Sequence, residues 1–141
     1  MNRIRMASFS VIGTELRTSN AREMTGQGVI GQLWSKVKPD LGPPVAVYSD
    51  YESDKDGEYN YMLGIKATGN DSPSPGFSRR TIEAGDYVCL KSEGPIAPDV
   101  VVGLWRRIWD LEQTGELARA YRTDFEIYTA NGMELYVGVK R

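Results

Sequence analysis

The chain has 141 residues, of which 40% are hydrophobic and 26% charged, and 17 basic against 19 acidic side chains leave a formal net charge of −2. This is one domain's worth of chain, with an ordinary globular composition and enough length for a core of its own. The near-neutral balance excludes a nucleic-acid binder working through a dominant basic field, and the absence of histidine removes His-based triads and His-containing zinc sites.

Cys89 is the only cysteine, so there is neither an internal disulfide nor a thiolate cluster. It lies in the apolar run Tyr87-Val88-Cys89-Leu90 and reads as a small core residue. No stretch approaches the roughly 20 apolar residues of a membrane span. Met-Asn-Arg-Ile-Arg-Met at the start is not followed by an apolar region of signal-peptide type. The expectation is a cytoplasmic domain.

In chain order, Ile4 to Leu16 reads as a strand, with Gly13 marking a bulge. A helix follows, with Val29, Ile30, Leu33, Trp34 and Val37 on one face, stopped by Pro39 and Gly42-Pro43-Pro44. Val45 to Ser53 and Tyr59 to Ala67 are β-rich and joined by Asp54-Lys55-Asp56-Gly57, the composition of a hairpin turn. Residues 68–76 are polar and rich in Gly, Pro and Ser, a linker. Arg79 to Lys91 is a strand broken by a turn at Ala84-Gly85-Asp86. Pro98-Asp99 then opens a helix with Val101, Leu104, Trp105, Ile108 and Leu111 on its apolar side. Asp124 to Thr129 and Met133 to Lys140 make a second hairpin around Ala130-Asn131-Gly132.

The two halves echo each other. Asp50-Tyr51-Glu52 matches Asp124-Phe125-Glu126, and Gly64-Ile65-Lys66 matches Gly138-Val139-Lys140, both at a spacing of 74 residues. Leu33-Trp34 matches Leu104-Trp105 at 71. The reading is a single domain over 1–141 built from duplicated βαββ units, about 1–67 and 77–141. Paired by a pseudo-twofold, they form an α+β domain, an antiparallel sheet flanked by two helices. A ligand cleft lies between the units.

These residues resemble the GyrI-like family, the effector-binding domain also found in multidrug-responsive and AraC-type regulators. The resemblance rests on the doubled plan, on Gly94-Pro95 before the second helix and on Leu104-Trp105 within it. It rests above all on Asp124-Phe125-Glu126-Ile127-Tyr128, similar to the family's Phe-Glu-x-Tyr motif, followed by Glu134-Leu135-Tyr136. It implies the sensor half alone, since the chain shows no DNA-binding domain of the regulators. In drug-binding members the glutamate of this motif sits in an aromatic pocket and meets a cation, which implies that role for Glu126.

Strand alternation sends Glu126 to the side opposite Phe125 and Ile127. That side is either water or a pocket. If the turn preserves facing, Tyr128, Glu134 and Tyr136 share its parity. Tyr48 and Tyr61 lie in the equivalent hairpin of the first half, and Trp105 in the helix of the same half as Glu126. Aromatic faces attract organic cations, so the candidate ligand-binding set is Glu126, Tyr136, Trp105, Tyr61, Tyr48, Glu134 and Glu52, the last as the internal echo of Glu126.

Two other motifs carry less. Gly26-Gln27-Gly28-Val29-Ile30-Gly31 has dinucleotide-fingerprint spacing, with Asp50 following at a suitable distance. The polar stretch Thr18 to Thr25 before it is no buried strand, however, and a hairpin follows where a parallel βαβ unit is required. Asp54 to Glu58 lacks full calcium-loop spacing and reads as a solvated turn. The leading expectation is therefore a stand-alone module for amphipathic, cationic organic compounds, acting by sensing or sequestration without covalent chemistry, metal or cofactor. Two alternatives stay open. One is a hydrolase of reactive small molecules using Glu126, with or without Glu52. The other is an interaction protein that inhibits DNA gyrase or serves a separate regulator.

Overall fold

The computed structural model describes residues 2–25, 28–36, 42–69 and 72–141. The first half supplies β1 (Asn2–Met6), β2 (Phe9–Ser19), α1 (Asn20–Met24), α2 (Ile30–Trp34), β3 (Val45–Ser49) and β4 (Glu58–Lys66). The second supplies β5 (Ser78–Ile82), β6 (Gly85–Glu93), α3 (Pro98–Gln113), β7 (Arg119–Thr129) and β8 (Gly132–Val139). All eight strands join in one antiparallel sheet, in the order β1-β6-β8-β7-β3-β4-β2-β5. The class is α+β, with three helices among the described residues where two were expected. None of them is long and apolar enough to cross a membrane.

The strand expected over Ile4 to Leu16 is two strands. It breaks at Ala7-Ser8 because β1 leaves for β6, where Arg3 and Arg5 each reach Asp86 at 3.2 Å, while β2 pairs with β4 and β5. Alternation identifies a strand but not its partner. At Gly13, opposite Gly64 in the β2–β4 ladder, a Cβ would come within 2.2 Å of the Leu63 carbonyl, and only glycine permits that approach. The single helix expected from Val29 is the short α2, preceded by α1. Val37 and Pro39, assigned to its end, lie outside the described residues, as do Gly26 and Gln27 of the glycine motif and Asn70 and Asp71 of the linker.

The first hairpin also differs. β3 stops at Ser49 because Asp50 takes a left-handed turn, φ 50°. Tyr51 and Glu52 therefore leave the ladder. Asp54 spends its carboxylate on the Asp56 amide, at 2.9 Å, a side-chain turn of the ordinary kind. α3 begins with proline in its first turn and buries Trp105 and Ile108, as its apolar spacing predicts.

Both faces of the sheet are covered, which is why every residue of β3 is buried. On one face Ala46, Tyr48, Tyr61, Leu135 and Val137 pack beneath Leu33 of α2 and Trp105 and Ile108 of α3. On the other, Val11, Val45, Val47, Met62, Ile82, Tyr87 and Phe125 come from six strands and bury one another without a helix. The sheet achieves this by curling into a half-barrel.

Candidate functional site

Glu126 lies in mid-β7, beside Ala46 of β3 and Leu135 of β8. Alternation turns Phe125 into the inner face of the curl and Glu126 toward the helices. Its side chain has 0% exposure. The carboxylate accepts three hydrogen bonds: from Trp105 Nε1 at 2.6 Å and Tyr48 Oη at 3.0 Å on Oε2, and from Tyr128 Oη at 2.5 Å on Oε1. Burial pushes the Glu126 carboxyl above its ordinary value, and these three donors pull it partly back. Burial, and then the Glu126 charge, hold the Tyr48 and Tyr61 hydroxyls far above the usual tyrosine range, so both stay neutral.

Over this carboxylate opens a cavity of about 650 Å³, within the range of small-molecule sites. Tyr48, Tyr59 and Tyr61 form its floor with Glu126. α3 supplies Val101, Trp105 and Trp109 as one wall, and α1 and α2 supply Glu23, Ile30 and Trp34 as the other. The rings brace one another. Trp34 donates to the Tyr61 hydroxyl at 3.2 Å and stands edge-on to Tyr128 at 4.6 Å, while Tyr48 packs on Trp105 at 4.9 Å. A residue freed from one wall therefore disturbs the floor. Behind Trp105 the buried Arg119 is matched by Asp124 at 2.7 Å, so its charge is met outside the cavity.

Of the residues expected here, Glu126, Trp105, Tyr48 and Tyr61 line this cavity. Glu134 and Tyr136 do not. The two-residue turn between Thr129 and Gly132 sets Glu126 opposite Leu135, so Glu134 and Tyr136 take the face of Ile127 and Phe125. The turn does not preserve the facing that their shared parity required. Tyr136 stacks on Phe125 at 4.7 Å and donates to Glu134, which meets Lys91 at 3.4 Å. Glu52 sits exposed in the turn after β3, bonded to the Glu58 amide, and is not the strand counterpart of Glu126.

Other lining residues went unread. Tyr59 was legible as the i−2 neighbour of Tyr61 on a strand, and Trp109 as the i+4 neighbour of Trp105 on a helix. Glu23 gave no signal, because it lies in a polar stretch without periodicity. It accepts from Thr18 Oγ1 at 2.5 Å and from the Val29 and Ile30 amides at 3.0 and 3.1 Å, capping α2. A Cβ on Gly28 would stand 2.3 Å from its Oε1. The glycine thus makes room for a side-chain carboxylate.

A family model, the GyrI-like small molecule binding domain, matches residues 4–140. The chain belongs to the GyrI-like family. YobU of Bacillus subtilis (strain 168), named as a candidate transcriptional regulator, is 28% identical in an alignment of 148 positions that covers 92% of this chain and 91% of that protein. An integron cassette protein from the mobile metagenome of Vibrio cholerae has a crystal structure that matches this GyrI-like domain with a TM-score of 0.86 at 31% identity, covering 99% of this chain and 95% of that one. SAV2435, solved with tetraphenylphosphonium bound, matches with a TM-score of 0.66 at 18% identity over 99% of this chain and 93% of its own. At that identity the likeness is one of fold.

Proposed function

We propose that this GyrI-like domain binds amphipathic organic cations and holds them, as a sensor or a sequestering module, without covalent chemistry. One observation carries the reading: the Glu126 carboxylate is withdrawn from water at the floor of a cavity walled by aromatic rings. A buried carboxylate is costly on its own, and a cation seated above it relieves that cost. Ring faces add cation–π attraction without demanding one ligand shape, worth about 0.5–2 kcal/mol each. The site comprises Glu126, Trp105, Tyr48 and Tyr61, joined by Tyr59 and Tyr128. The tetraphenylphosphonium held by SAV2435, of the same fold, is consistent with such a ligand.

The finer architecture belongs to the same reading: two halves related by a pseudo-twofold, with the ligand between their helices. Exchanging β1 with β5, β2 with β6, β3 with β7 and β4 with β8 reverses the strand order into itself, which supports it. Centred on Val47–Phe125, the middle pair of the β3–β7 ladder, that exchange makes Tyr48 the counterpart of Glu126.

The test is calorimetric titration with tetraphenylphosphonium and with tetraphenylborate, ions of matched size and opposite charge, while ligand mass is followed by spectrometry. The cation should bind at least about tenfold tighter than the anion, and its mass should not change. Equal affinity overturns the cation reading; a changed mass turns the reading to the hydrolase.

A further inference from the structure

Two carboxylates, Glu126 and Glu23, line the cavity, and among its described lining residues there is no lysine or arginine. The nearest buried cation, Arg119, stands behind Trp105 and is matched by Asp124. Tyr59 and Tyr61 line the same cavity, and both glutamates bear electrostatically on both hydroxyls, adding to the upward push of burial. Glu23 is also fixed in place, held by Thr18 and by the first amides of α2, with Gly28 leaving the space it occupies. Its charge is therefore presented at a set position on the α1–α2 wall, with Glu126 at another on the floor.

Resting on the cation reading above, we infer that Glu23 is a second anionic contact and that the preferred ligand is an elongated dication, one charge at each glutamate with an apolar spacer along the rings. A monocation can meet only one of the two carboxylates that line the cavity. A dication meets both. Capping α2 does not itself require a charge, because a glutamine oxygen at position 23 accepts the same amides. Charge and cap can thus be separated by experiment.

The probes are alkane-α,ω-bis(trimethylammonium) salts with spacers of four to ten carbons, each against the alkyltrimethylammonium of equal chain length. In the wild-type protein the dication should win by about tenfold or more at one optimal spacer, although its second headgroup costs more to dehydrate. In Glu23→Gln that advantage should fall to about twofold or less. Monocations that beat dications at every spacer overturn the inference, as does an undiminished advantage in Glu23→Gln. The wild-type spacer series decides the matter even if the variant fails to fold. Failure of both series to bind wild type, or monocation binding untouched by Glu126→Gln, overturns instead the cation reading on which this rests.

Discussion

Tyr48 reaches across the β3–β7 seam to Glu126: its hydroxyl donates to Oε2 at 3.0 Å, while the residue paired with Glu126 in the ladder is Ala46. The same oxygen takes the Trp105 indole N–H. One carboxylate atom therefore ties two strands of the sheet centre to α3. The methyl of Ala46 leaves the space that the diagonal contact needs. The carboxylate is held in position before a ligand arrives, which limits the ordering cost of binding.

Glu126→Gln should weaken tetraphenylphosphonium binding by about 1–3 kcal/mol, the value of a charge-assisted contact in a desolvated site. The fold should survive, with a melting temperature equal to wild type or above it, since a neutral amide avoids the cost of burying a charge. Calorimetry and thermal melting check the two halves of this expectation. Undiminished affinity in a folded variant removes Glu126 as the counter-charge.

Affinity should depend on pH. Burial raises the Glu126 carboxyl above its ordinary 4.5, so the folded protein holds this proton more tightly than the unfolded chain does. Its contribution to stability is then full below the ordinary value and is lost as pH rises through the folded value. Cation binding runs the other way, strengthening across that window and expelling the proton. Titrations at about pH 5 in two buffers of different ionisation enthalpy should show proton release, and the stability of wild type relative to Glu126→Gln should fall as pH rises. A zero or opposite dependence refutes this.

Two tyrosine-to-phenylalanine changes should behave differently. Tyr128→Phe removes the donor on Oε1 and should move the pH midpoint of cation binding upward by about one unit, equivalent to about 1.4 kcal/mol. Tyr136→Phe alters the opposite face of the sheet, where the ring stacks on Phe125. It should leave cation affinity unchanged within about twofold. Equal effects of the two would contradict the β7–β8 register.

Asp124→Asn should cost stability rather than binding specificity. Asp124 is wholly buried and accepts from Arg119, from the Tyr51 hydroxyl and, at 2.8 Å, from the Gly138 amide. Removing its charge leaves the guanidinium buried beside Tyr121 with only the more distant Glu112 carboxylate, at 4.0 Å, as counter-charge. The expected loss is about 3–5 kcal/mol by denaturant titration. A loss below about 1 kcal/mol would show that the pair adds little to the fold.

Local physics made much of this protein legible without its structure. Alternation around Glu126 gave the right face, because strand periodicity acts residue by residue. The apolar spacing of Val101, Leu104, Trp105, Ile108 and Leu111 marked the buried side of α3 for the same reason. The Phe-Glu-x-Tyr resemblance pointed to the family that the chain match shows.

Partnership between segments was settled only by the tertiary structure. A one-residue difference in the β7–β8 turn reverses the face of every residue in the following strand, and so moved Glu134 and Tyr136 away from Glu126. The left-handed turn at Asp50 took Glu52 out of the ladder despite its exact spacing to Glu126. Glu23, silent in its polar stretch, reached the cavity because the curled sheet brings α1 and α2 opposite α3. Periodicity along a chain reports which way a side chain points from its own element, whereas a cavity is made by what stands across from it.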